Sequence, residues 1–91
     1  MIRQTILVEN RLGLHARAAA KLVRLASRFE SEIYLSREGA HEQIDAKSIL
    51  GVLMLGASEG TRLLITIGGQ DEAEAGEAIR RLFEQKFGEE N

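Results

Sequence analysis

The sequence has no cysteine, no proline and no tryptophan, and aromatic residues make up only 4% of its 91 positions. Without cysteine there is no disulfide, no thiolate metal site and no cysteine nucleophile, and nothing argues against a reducing compartment. Two histidines, His15 and His41, cannot fill a zinc site between them, so no metal and no cofactor is expected. The aromatics are Phe29, Tyr34, Phe83 and Phe87. An RNA-binding sheet displays aromatics on its strands, and three of these four are better placed as core, so no nucleic-acid partner is expected. No apolar run approaches the roughly 20 residues a membrane helix needs. Residues Met1–Thr5 also lack the apolar core of a signal peptide, and a cytoplasmic protein is expected.

What remains suits one small folded domain spanning 1–91, with 44% apolar and 29% charged residues. The formal net charge of −2 hides an asymmetry. Between Arg11 and Arg28 lie five basic residues (Arg11, Arg17, Lys21, Arg24, Arg28) and no acid. Acids outnumber bases in the second half. A basic patch on a mildly acidic protein suits an acidic protein surface or a phosphate.

Periodicity predicts the elements. Residues 2 to 8 alternate as a strand with Ile2, Gln4, Ile6 and Val8 on one side. After the turn Asn10–Gly13, residues 16 to 29 have a helical period. Leu22, Val23, Ala26 and Phe29 share one face, and Arg17, Lys21, Arg24 and Arg28 form a basic stripe on the other. Glu32 to Arg37 is a strand with Ile33 and Leu35 inward, and His41 to Ile44 is a short edge arm after a Glu38-Gly39 turn. Within that arm His41 reads as a surface residue without a role. Asp45 is expected to cap a helix from about Ala46 to Leu55, stopped by Gly56. Arg62 to Ile67 is a strand. A last helix runs from Asp71 to Phe87, and residues 88 to 91 are a frayed tail. The order β-α-β-β-α-β-α describes an α+β two-layer open-faced sandwich, a four-stranded antiparallel sheet covered on one face by helices.

His15 stands immediately before the first helix. A group there lies beside free backbone N–H donors and the positive end of the helix dipole, so an anion attached to the imidazole would meet a ready anion site. Arg17 can reach the same anion with its guanidinium. Neutral imidazole is a competent nucleophile near pH 7, and small residues (Ala16, Ala18, Ala19, Ala20) leave the approach open. Taken on position alone, a plain cap residue with a basic neighbour explains His15 as well.

The string Gly13-Leu14-His15-Ala16-Arg17-Ala18-Ala19-Ala20-Lys21 resembles the active-site segment of the HPr family, the phosphocarriers of the bacterial phosphotransferase system. A second string, Ala46-Lys47-Ser48-Ile49-Leu50-Gly51-Val52-Leu53-Met54-Leu55-Gly56, resembles that family's second helix with its regulatory-serine signature. The resemblance implies that His15 is phosphorylated on Nδ1, that Arg17 steadies the phosphoryl group, and that the backbone N–H groups of Ala16 and Arg17 complete its binding. It implies Enzyme I, charged by phosphoenolpyruvate, as donor and an EIIA-type protein as acceptor, the chain being a carrier rather than a stand-alone enzyme. It also implies regulation at Ser48 by an HPr serine kinase. Where the family most often has proline this chain has Ala18, a good helix former, and the helix is expected to start in the same place.

The second helix carries more apolar residues than a short helix can bury. Val52 and Leu55 read as core. Ile49, Leu50, Leu53 and Met54 read as a partner-docking patch, rimmed by Lys21, Arg24, Arg28 and Lys47. Its run Leu53–Ala57, the alanine-rich first helix and the acidic C-terminus resemble the nitrogen-related NPr branch somewhat more than the sugar branch, whereas the serine signature is shared with dual-role HPr proteins. A monomer is expected, since a carrier must show one face to successive partners. The competing reading is a small α+β binding module that uses the basic stripe and apolar patch for a protein or RNA partner without covalent chemistry.

Overall fold

In the computed structural model, which describes residues 1–89, β1 (Ile2–Leu7), β2 (Glu32–Arg37), β3 (Ile44–Asp45) and β4 (Arg62–Gly68) form one antiparallel sheet in the order β1-β4-β2-β3. Helices α1 (Ala16–Ala26), α2 (Ile49–Leu55) and α3 (Glu72–Glu84) pack on one face, and a 3-10 turn, Lys86–Gly88, follows. β4 lies between β1 and β2, so these two run parallel to each other with a strand inserted between them, and α1 makes the crossover.

Register puts like with like. Ile6 faces Leu63 across β1 and β4, and Leu35 and Ile33 face Ile65 and Ile67 across β2 and β4. All six are buried beneath Leu22 and Ala26 of α1, Val52 of α2, and Ile79 and Phe83 of α3. The expected two-layer α+β sandwich is therefore the observed one. Its period-2 strands carry a single apolar face, and only helices can cover it.

Several boundaries differ from expectation, each for a local reason. The arm expected over His41 to Ile44 pairs only at Ile44 and Asp45, opposite Leu35 and Tyr34. Asp45 therefore belongs to the sheet and does not cap α2. The Ala46 N–H donates to the Ile33 carbonyl (2.9 Å), and the helix starts three residues later with Ser48 as its cap, whose Oγ accepts from the Gly51 N–H (3.1 Å). Gly56 ends α2 in the left-handed conformation (φ 61°), as a glycine after a helix does. Helix α1 stops at Ala26, because the Arg28 and Phe29 N–H groups bond back to the carbonyls three residues earlier and tighten the chain into a turn. Arg28 thus lies just beyond the helix that carries Arg17, Lys21 and Arg24.

The C-terminal end departs most. Helix α3 ends at Glu84, and Lys86 and Phe87 adopt positive φ (55° and 58°), which is unfavourable for residues with a side chain. Burial of Phe87 offsets that cost: its ring is inside the core, edge-on to Phe83 with centroids 4.8 Å apart. The residues expected to fray from Gly88 onward include an ordered pair. Gly88 completes the turn and the Glu89 side chain is only 10% exposed. Glu90 and Asn91 lie outside the described residues.

Asp71 precedes α3 but serves another element. Its carboxylate accepts from the backbone N–H groups of Glu30 (2.9 Å) and Ser31 (3.0 Å) and from the Ser31 hydroxyl, closing the α1–β2 connection onto the head of α3. The Ser31 hydroxyl and the Glu30 N–H hold this carboxyl below its ordinary range. A depressed carboxyl contributes stability above its unfolded pKa of about 3.9 and loses it as pH falls through the folded value. Asp71→Asn is therefore expected to lower the urea midpoint at pH 7, with the gap to wild type narrowing below about pH 4. An equal gap at pH 7 and pH 3 would place the effect elsewhere.

Candidate functional site

The site is built where β1 hands over to α1. The connecting turn closes on itself: the Gly13 N–H donates to the Asn10 carbonyl (3.1 Å), and Asn10 Nδ2 donates to the Gly13 carbonyl (2.7 Å). Gly13 has φ +66°, and a Cβ there would sit 2.5 Å from the Ala57 carbonyl oxygen, so both conformation and space require glycine. That closeness lets the Leu14 N–H donate to the same Ala57 carbonyl (2.8 Å), which ties the turn to the segment following α2. Leu14 is buried, and the next residue is His15.

His15 is the N-cap residue of α1, in extended conformation (φ −75°), and its carbonyl accepts the Ala19 N–H (2.8 Å). Its ring makes no capping bond. The imidazole is thus free for another task while the first-turn N–H groups of Ala16 and Arg17 remain without helical partners. Arg17 is mostly exposed, and Ala18 packs into the core, with α1 beginning at Ala16 as expected.

The side chain that meets the imidazole comes from the far end of the chain. His15 Nε2 is hydrogen-bonded to Oε2 of Glu89, Arg17 Nη2 lies 3.9 Å from the same oxygen, and Asn10 Nδ2 donates to Glu89 Oε1 (3.0 Å). Burial pushes the Glu89 carboxyl up, but the Asn10 and His15 hydrogen bonds and the nearby His15 and Arg17 charges outweigh it, and the group lies below the ordinary carboxylate range. Neither Glu89 nor Asn10 is marked by any local pattern. They stand in a terminal segment and a turn, 79 residues apart, and only the fold joins them.

The expected docking residues divide. On α2, Leu50 is 69% and Met54 82% exposed, and Ile49 and Leu53 are also exposed, while Val52 is fully buried. Leu12, in the turn before His15, is a further exposed apolar side chain that periodicity could not single out, since it lies outside any helix or strand. Arg24 and Arg28 are exposed and make no ion pair among the described residues. Lys21 and Lys47, in contrast, hold the fold together: Lys21 Nζ donates to the Phe87 carbonyl (2.6 Å) and Lys47 Nζ to the Phe29 carbonyl (2.7 Å). Their ammonium groups are therefore committed within the chain. His41 is exposed in the irregular stretch before β3. No helix among the described residues is long and apolar enough to cross a membrane.

Residues 2–85 match the family described as "PTS HPr component phosphorylation site". The phosphocarrier protein HPr of Xylella fastidiosa (strain 9a5c) is 47% identical over 90 residues, covering 99% of both chains. That of Treponema pallidum (strain Nichols) is 47% identical over 90 residues, covering 99% of this chain and all of its own. The crystal structure of HPr from Thermoanaerobacter tengcongensis superposes with a TM-score of 0.93 at 43% identity, covering 100% of each chain. Likeness at this level spans β1 to the last helix, and the chain belongs to the HPr family, the phosphocarriers of the bacterial phosphotransferase system.

Proposed function

We propose that this chain carries a phosphoryl group on Nδ1 of His15, taking it from Enzyme I, which phosphoenolpyruvate charges, and passing it to an EIIA-type protein. The observation that carries this reading is the imidazole at the head of α1, engaged through Nε2 and uncommitted to capping. Arg17 and the free N–H groups of Ala16 and Arg17 supply positive field where a phosphoryl group would rest. As the Nδ1 lone pair bonds to phosphorus, the bond between phosphorus and donor breaks and its electron pair stays with the donor. The onward transfer repeats the exchange, with the acceptor supplying the lone pair. The chain is then a covalent intermediate and not an enzyme in its own right.

The exposed side chains of Ile49, Leu50, Leu53 and Met54, with Arg24 and Arg28 as the basic rim, suit acidic partners that must bind briefly and leave. The rim should make that binding weaken with salt. One copy suffices for this cycle, and a cytoplasmic location suits both partners. A dimer of the Thermoanaerobacter tengcongensis HPr is also known, at 43% identity to this chain. Transfer rates to a sugar-type and a nitrogen-type EIIA protein would assign the branch.

The test is intact mass after incubation with Enzyme I and phosphoenolpyruvate. One acid-labile phosphoryl group is the expected result, and no modification by an active, matched Enzyme I overturns the reading. Phosphorylation of Ser48 by an HPr serine kinase fits the same surface. Ser48 is partly exposed at the head of α2, and a phosphate there would set negative charge beside Ile49 and Leu50. A matching kinase that leaves Ser48 unmodified in vitro would sink that part.

A further inference from the structure

We propose that Glu89 is a positioning residue for phosphoryl transfer: its carboxylate accepts the Nε2 proton of His15, fixes the ring, and leaves the Nδ1 lone pair as the nucleophile. The inference rests on His15 being the phosphoryl acceptor and names a residue outside the two sequence strings that suggested it.

Three observations converge on Glu89. Its carboxylate is anchored at both oxygens, Oε1 by Asn10 Nδ2 at 3.0 Å and Oε2 by the imidazole. The Asn10 amide has only one workable orientation. Turned over, its carbonyl oxygen would face the Gly13 carbonyl and the Glu89 carboxylate, two acceptors, whereas as placed Nδ2 donates to both. Finally, the backbone bends to deliver Glu89. Lys86 and Phe87 take up positive φ, Phe87 is buried against Phe83, and Lys21 Nζ holds the Phe87 carbonyl, two residues before the carboxylate.

Chemistry gives the contact its direction. A carboxylate held below its ordinary range is ionised near neutral pH and can only accept a hydrogen bond. The proton of that bond is therefore on Nε2, so whenever the ring carries a single proton its lone pair is on Nδ1. When Nδ1 forms its bond to phosphorus, the donor keeps the electron pair of the bond that breaks, and positive charge develops on the ring. The Glu89 carboxylate faces that charge across Nε2–H, as an acidic partner does for the general-base histidine of a catalytic triad. Without it the ring is free to turn Nδ1 toward the first-turn N–H groups, where capping would occupy the lone pair.

The test compares wild type, Glu89→Ala and Glu89→Gln, each 15N-labelled in histidine. The readouts are the His15 Nε2–H signal and the rate of phosphoryl uptake from phosphorylated Enzyme I. In wild type the Nε2–H proton is expected to be visible and slow to exchange. Glu89→Ala is expected to lose that protection and to slow uptake by about tenfold or more, the usual scale for removing a partner that orients a reacting group. Glu89→Gln keeps an oxygen that can accept the proton but not the charge, and should recover part of both. A Glu89→Ala variant with unchanged uptake overturns the proposal. So does slow uptake with an unchanged ring signal, because Glu89 would then act by some other route. If wild type itself takes up no phosphoryl group, the carrier reading falls and this one with it, whatever the ring signal shows.

Discussion

Alanine in place of His15 is expected to abolish phosphoryl uptake while leaving the fold in place. The two effects separate because the imidazole's one structural contact is its hydrogen bond to Glu89, a modest share of the fold's stability. It is at the N-cap but makes no capping bond, it is partly exposed, and the backbone carbonyl that starts α1 is untouched by the change. The loss of stability should be about 1–2 kcal/mol, chiefly from the lost hydrogen bond to the Glu89 carboxylate, which keeps its Asn10 partner. Uptake, in contrast, has no second nucleophile to fall back on. The chain has no cysteine, and His41, the other histidine, is exposed in the irregular stretch before β3 and heads no helix. The measurement is intact mass with Enzyme I and phosphoenolpyruvate, paired with a urea melt. Uptake retained by a folded His15→Ala protein would move the chemistry to another residue. Partner binding retained without any uptake in wild type would favour the binding-module reading, in which Arg24, Arg28 and the exposed face of α2 act without covalent chemistry.

Phe83→Ala is expected to have the largest effect on stability, about 3–5 kcal/mol, which is the transfer cost of a large buried ring plus the cavity it leaves. Phe83 is 1% exposed, on the inner face of α3, and its ring meets Phe87 edge-on. A domain of this size has roughly 5–15 kcal/mol in total, so the substitution removes much of it. At about 4–8 °C per kcal/mol the melting temperature should fall by more than roughly 12 °C. A fall under about 4 °C would mean that the core closes over the gap. The effect should also reach the site. Phe87 holds the positive-φ turn in place, and that turn sets Glu89 against His15. Below its melting point the variant should therefore take up phosphoryl more slowly than wild type, by the same route as Glu89→Ala.

How much was legible in advance depends on whether a feature is local. The alternation of Ile33 and Leu35, or of Leu63, Ile65 and Ile67, states directly which side of a strand is buried, and the structure buries those residues. The excess of apolar residues on α2 likewise foretold an exposed face, because a two-turn helix cannot bury its whole circumference. Lys21 and Lys47 were harder to read. A cation on a helical stripe looks solvent-facing whether or not a carbonyl from another segment lies within reach of its ammonium group, and here the Phe87 and Phe29 carbonyls do. The cap of α2 was misread for a related reason. Asp45 was the expected cap, but its pairing with Tyr34 holds it in the sheet, and Ser48 caps the helix instead.

By itself the sequence determined the element order, the faces of the strands and helices, and a histidine at the head of the first helix with Arg17 two residues on. All of these are encoded by spacing within a few residues, where backbone geometry converts pattern into position. The tertiary structure alone decided what the imidazole meets. Glu89 is 74 residues from His15, in a segment whose polar composition reads as a loose tail. It arrives at the site because the buried Phe87 anchors a left-handed turn after α3 and because Asn10, from the opposite end of the chain, holds its second oxygen. No local rule links those positions, since their proximity exists only after sheet and helices have packed.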